Sequence, residues 1–84
     1  MSIQTELAIL KSELADLKMK KMDLAARIHG NVRAAKALLA AANIKPIERI
    51  DVEGASQQLL EAAKQKREMA EVVAQIEKIE AELN

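Results

Sequence analysis

The side chains in this sequence that could do chemistry are few, and they are not grouped. His29 is the only histidine, the residue type that most often serves as a general acid or base, and no serine, cysteine or aspartate stands at the spacing of a catalytic triad. The chain has no cysteine, which excludes a disulfide and a thiolate nucleophile. A single histidine cannot form a histidine-based metal cluster within one subunit. We therefore predict no catalytic, metal or cofactor site, and a protein that is not an enzyme.

A second group of candidate residues is the excess of basic side chains in the middle of the chain. Residues 18–45 carry seven lysines and arginines against Asp23 alone, whereas residues 1–17, 46–61 and 68–84 are each net negative. Lysine and arginine neutralise phosphate backbones, so this region could bind nucleic acid. The candidate contacts are Lys18, Lys20, Lys21, Arg27, Arg33, Lys64 and Arg67. However, the net charge is zero and no aromatic side chain is present to stack on bases.

The strongest pattern is an apolar repeat over residues 3–42. Stepping alternately four and three residues from Ile3 meets twelve positions, of which ten are apolar. The mean spacing of 3.5 residues is the period of a helix that packs in a coiled coil. The large apolar residues of this predicted seam are Ile3, Leu7, Leu10, Leu14, Leu17, Leu24, Ile28 and Leu38. Lys21 and Asn31 also fall on it, and we interpret them as polar residues that fix the alignment of the helices.

A second helix is predicted after the turn that Pro46 enforces. Proline cannot continue a helix, Asn43 is a candidate C-terminal cap, and Asp51 is a good N-cap for a helix over residues 52–83. Its predicted seam passes through either Ile79 or Glu80, and Lys66 is a polar interruption. Its other large apolar residues are Val52, Leu59, Met69, Val73, Ile76 and Leu83. The turn contains three isoleucines, and we expect some of them to fold back over the helix ends.

Gly30 leaves the course of the first helix open. Glycine can end a helix through a left-handed conformation, but the apolar repeat continues in phase from Ile28 to Ala35. A true break would normally reset that phase. We therefore favour one continuous helix over two helices joined at Gly30.

These patterns predict a single all-α domain over residues 1–84. Its helices would cover about 3–42 and 52–83, joined by a turn at about 43–51, and would form an antiparallel coiled-coil hairpin. That pairing places Leu17 near Ile76 and Leu24 near Met69. Further apolar residues beside the seam favour a homodimer that forms a four-helix bundle: Ile9, Met19, Met22, Leu39, Leu60 and Val72. A tetramer, a hetero-complex and a monomer stay open.

The first-helix seam also allows a parallel pairing between two copies. In that arrangement Glu6 would face Lys11, and Glu13 would face Lys18, at the positions that flank a coiled-coil seam. Sequence alone therefore leaves the direction of association open.

The functional expectation follows from helix faces rather than from a pocket. We predict a structural or adaptor protein that self-associates and contacts a protein partner through its helix faces and the turn at residues 44–50. A small nucleic-acid-associated regulator is the alternative. The longest apolar run, residues 37–42, is far shorter than the ~20 residues that span a bilayer. The first residues do not resemble a signal peptide, so we expect a cytoplasmic protein without a membrane partner.

Overall fold

A computed structural model describes residues 2–84 as two long helices packed side by side. The helix α1 covers Ile3–Ala40 and the helix α2 covers Val52–Leu83. Together they form a rod that measures 67 × 17 × 14 Å. The predicted all-α hairpin is confirmed, with the helices running in opposite directions.

Both helices begin at a side chain that caps their first turn. The hydroxyl of Ser2 accepts a hydrogen bond from the backbone N–H of Thr5 at 3.2 Å. The carboxylate of Asp51 accepts one from the backbone N–H of Gly54 at 2.8 Å. Each bond satisfies a donor that has no partner inside its helix, and the prediction of Asp51 as N-cap is confirmed.

The helix α1 continues without interruption through Gly30. No residue in the described range 2–84 adopts a positive φ, so Gly30 does not use the conformational freedom of glycine. A Cβ atom added at Gly30 would have no neighbour within 4 Å. The continuous helix is therefore confirmed, and Gly30 weakens it by the ~1 kcal/mol that a helical glycine costs relative to alanine.

The end of α1 differs from the predicted cap. Instead of a left-handed residue, the last turn tightens into a 3-10 helix over Ala41–Asn43. The backbone N–H groups of Ile44 and Lys45 both donate to the carbonyl oxygen of Ala41, at 3.1 and 2.9 Å. These bonds satisfy the end of the helix without a left-handed residue, so the prediction of Asn43 as a cap is wrong.

The connection leaves two of its isoleucines in water. After Pro46 it forms a second 3-10 turn, Ile47–Arg49. Ile50 is buried, as expected for a residue folded back over a helix end, but Ile44 is 85% exposed and Ile47 is 69% exposed. The expectation is right for Ile50 alone. We call residues 44–49 the tip.

The hairpin is held by a thin seam whose composition changes along the rod. In the half near the tip the buried residues of the two helices are small: Ala35, Ala55 and Ala62. In the other half Leu24, Val72 and Ile76 form the core cluster, against which Leu14, Leu17 and Met69 pack. Small side chains let two helices approach closely, and the larger ones bury more apolar surface. Leu17, Leu24, Met69 and Ile76 therefore all meet in one cluster, as the predicted pairing required.

Replacing Gly30 with alanine should raise the free energy of unfolding by up to ~1 kcal/mol, because the added methyl group meets nothing and alanine favours the helix. Gly54→Ala is the matched control. There the added Cβ would overlap the Asp51 carboxylate that caps α2, so the gain should be smaller or absent. Urea denaturation of the three proteins at one concentration measures both changes. A Gly30→Ala protein less stable than the parent would contradict the continuous helix.

Candidate functional site

The candidate site of this hairpin is its surface. His29 is exposed in α1. Among residues 2–84, no three His, Asp or Glu side chains lie close enough to hold a metal ion together. No helix of the same range is long and apolar enough to cross a membrane. The features left to examine are the polar groups of the seam, the two flanks of the hairpin, and its basic residues.

One side-chain hydrogen bond crosses the seam and aligns the two helices. The Asn31 side-chain amide donates from Nδ2 to the Oε1 atom of Gln65 at 2.8 Å, and both residues are partly buried. Asn31 therefore lies on the seam as predicted. Lys21 and Lys66 are exposed instead, so the interpretation of them as buried alignment residues is wrong. A lysine can rest its methylene stem on apolar surface while its ammonium stays in water.

The predicted seam of α1 is well placed in the structure. Seven of its eight large apolar residues are buried or half-buried, and Ile3, where the repeat begins, is 75% exposed. The seven are Leu7, Leu10, Leu14, Leu17, Leu24, Ile28 and Leu38. On α2 the same is true of Met69, Val73, Ile76 and Leu83, but Leu59 is 45% exposed and Val52 is 49% exposed. The prediction that Leu59 and Val52 lie on the seam within one hairpin is therefore wrong.

The seam of α2 contains two residues that an apolar pattern misses. Gln58 and Gln65 are half-buried at the positions where Leu59 and Lys66 were expected, and Val72 is more buried than its neighbour Val73. A search for apolar residues passes over the glutamines, because glutamine is a common surface residue. The available signal was Asn31, whose amide needs a polar partner across the seam.

Two grooves run along the hairpin, one on each side, and they differ in polarity. The floor of the first groove is formed by Leu10, Leu17 and Ile79. Its rim is polar and is formed by Glu13, Asp16, Gln75, Lys78 and Glu82. The second, of about 360 Å³, is lined by Lys18, Lys21, Met22, Ala25, Ile76 and Glu80. Each groove takes residues from both helices, so the grooves identify which positions of α1 and α2 share a flank.

Steps of seven residues extend each flank along the rod, because residues seven apart hold the same position in a coiled coil. On the side of the second groove the steps give a flank that is apolar near the tip except at Lys66: Ala25, Val32, Leu39, Val52, Leu59 and Val73. On the side of the first groove they give a flank that is charged over most of its length and has only small residues, Ala34, Ala41 and Gly54, next to the tip. Its charged residues are Glu13, Lys20, Arg27, Glu61, Glu68 and Glu82. The hairpin therefore has one mostly apolar flank and one mostly charged flank.

The apolar flank is exposed at its largest residues. Leu39, Val52 and Leu59 are each more than two-fifths exposed, and all three lie in the half of the rod near the tip. Toward the chain termini the same flank turns polar, with Lys18 on α1 and Glu80 on α2. Ile44 and Ile47 of the tip are exposed at the same end of the rod, and several large exposed apolar residues in one region are typical of an interaction surface.

The seven candidate basic residues are all exposed, but they do not share one face. Lys18 and Lys21 border the second groove. Lys20 and Arg27 lie on the charged flank, where Arg27 forms an ion pair with Asp23 at 3.0 Å. Lys64 adjoins that flank, and Arg33 and Arg67 stand opposite the seam by the same seven-residue steps. The basic residues thus encircle the middle of the rod, and one nucleic-acid strand could reach only part of them.

Comparisons with protein-family models, with curated proteins and with solved structures found no match to this chain. Fold similarity would in any case leave the function open, because one fold supports many functions. The function must therefore be argued from the surfaces of the hairpin.

Replacing Gln65 with alanine should lower the free energy of unfolding by about 1 kcal/mol, because the partly buried amide of Asn31 would lose its hydrogen bond. Gln57→Ala is the matched control, since Gln57 is an exposed residue of the same helix and the two substitutions change helix propensity equally. Urea denaturation of both variants measures the difference. Equal stability of the two variants would show that the Asn31–Gln65 bond contributes nothing to the hairpin.

Proposed function

We propose that this chain is a non-enzymatic structural or adaptor protein that works by self-association of its helical hairpin. Its first partner would be a second copy, which covers the apolar flank and completes a four-helix bundle. A further protein would then bind through the remaining helix faces and the tip. The observation that carries the proposal is the difference in polarity between the two flanks of the hairpin.

The energetic case rests on the exposed leucines and valines of the apolar flank. Burying the exposed part of a leucine such as Leu39 or Leu59 contributes about 1 kcal/mol, and a two-fold dimer buries each residue twice. Two helices cannot cover such a flank, because each offers the other only one stripe of its surface. Four helices can cover it, since each helix of a bundle contacts two neighbours.

Leu59 and Leu60 provide a matched pair of variants. Leu59 lies on the apolar flank, while its neighbour Leu60 stands opposite the seam and is 69% exposed. Leu59→Glu should convert a dimer into a monomer, because it would bury two carboxylates in the interface. Leu60→Glu should leave the mass unchanged. Light scattering after size exclusion measures the mass, and circular dichroism checks that both variants stay helical.

The parent protein sets the baseline for that experiment. Its thermal midpoint should rise with protein concentration over a hundredfold range, since mass action stabilises an obligate dimer. A parent that is monomeric at every concentration would overturn self-association. Equal loss of the dimer in both variants would place the interface elsewhere than on the apolar flank.

A small nucleic-acid-associated regulator is the alternative, supported by the exposure of all seven candidate basic residues. Their distribution around the rod would give weak binding of nucleic acid without sequence specificity. Fluorescence polarisation with labelled DNA and RNA at 50 and about 200 mM salt tests it, because contacts to phosphate weaken steeply as salt rises. We expect no binding at either concentration. Tight binding that falls steeply with salt would favour the alternative.

A further inference from the structure

Resting on the proposed self-association, we propose a specific arrangement for the second copy. The two hairpins lie side by side with their tips at the same end, related by a two-fold axis along the rod. Each α1 then packs against α2 of the other copy. The other possible two-fold arrangement runs the hairpins in opposite directions, with α1 against α1 and α2 against α2.

The bond between Asn31 and Gln65 gives the height of every flank residue along the rod. Leu39 lies eight residues beyond Asn31 and Leu59 lies six before Gln65, so the two differ in height by about two residues, or ~3 Å. Ala25 and Val73 match in height by the same reasoning. With the tips together, Leu39 of one copy therefore faces Leu59 of the second copy, and Ala25 faces Val73. Between these pairs Val32 faces Lys66, whose methylene stem can cover the valine while its ammonium stays in water.

The polar half of the flank favours the same arrangement. There α1 carries Lys18 and α2 carries Glu80, both on the rim of the second groove. Lys18 lies thirteen residues before Asn31 and Glu80 lies fifteen beyond Gln65, so their heights also match within about two residues, or ~3 Å. Setting α1 against α2 of the second copy brings these opposite charges together twice. Setting α1 against α1 does not.

Opposed hairpins would mismatch the flank instead. In full overlap, the exposed leucines of each copy would lie against the polar, chain-terminal half of the other. Sliding the copies until their apolar halves meet would leave much of the rod without a partner. With the tips together the whole side of the rod is covered, about 1,000 Å² per copy from its 67 Å length and 14–17 Å width, and a standard interface buries ~800 Å² per partner.

The basic middles of the two copies lie at the same height in this arrangement, and their repulsion is the cost of it. Those charges are solvent-exposed, so water and salt screen them. Burial of apolar side chains contributes more than exposed charge pairs do. The apolar match therefore decides the orientation.

The absence of cysteine from the chain makes a distance measurement direct. A single spin label at Ile47→Cys, on the exposed tip, reports the separation of the two tips in the dimer. A second protein labelled at Asn84→Cys, an exposed residue at the other end of the rod, reports the separation of the opposite ends. Light scattering and circular dichroism of each labelled protein come first, with the unlabelled parent as control.

Tips at the same end predict distances below about 30 Å at both positions, because the bundle is only a few ~10 Å helices wide. Opposed hairpins would give about 60 Å at both positions, close to the 67 Å length of the rod. Opposed and offset hairpins would give about 40 Å between tips and a longer distance between the other ends, by the rise per residue. Either opposed result overturns the arrangement and leaves self-association intact. A monomeric mass for parent and labelled proteins would overturn both proposals.

Discussion

A single helix–helix seam holds this protein together, and every other property of the hairpin follows from how little such a seam can bury. Leu24, Val72 and Ile76 are its only core cluster within the described residues. Half of all residues are hydrophobic and none is aromatic, so apolar surface is plentiful while bulky side chains are lacking. A helix that meets one neighbour can bury only one stripe. The remaining apolar residues must therefore lie on the flanks, where they set what the protein can bind.

The sequence was most informative where one pattern extended over many residues. The repeat of α1 persists for more than five heptads, and a one-residue error in it would have put several charges into the seam. On α2 two stripes share Ala55 and Ala62, one continuing through Leu59 and the other through Gln58. Residue type favours Leu59, yet in the structure Gln58 is half-buried and Leu59 is exposed. The difference is decided across the seam, by the amide of Asn31 that needs Gln65, and no pattern within one helix contains that information.

Features that depend on neighbouring residues could also be predicted from the sequence, whereas features that depend on a distant element could not. Asp51 caps α2 because its carboxylate lies next to free N–H groups, which depends only on neighbouring residues. Burial of the turn isoleucines depends on whether another element lies above them. For Ile44 and Ile47 none does. The flanks also depend on a distant element. The extra apolar residues predict that an apolar flank exists, but which residues lie on it depends on the alignment of the two helices.

The short connection also determines the order in which the hairpin can form. Contacts beside the connection, such as those of Ala35 and Ala55, close short loops, whereas a contact between the helix ends that hold Leu7 and Leu83 closes almost the whole chain. Loop closure costs more entropy as the loop lengthens. We therefore expect the contacts of the small alanines to form first and the contacts nearer the termini to follow. The large residues of the core cluster join after that start. The ends of the hairpin should consequently be the last part to pair and the first to separate. The half that carries the apolar flank should form first, so this flank becomes available to a partner before the rest of the hairpin is complete.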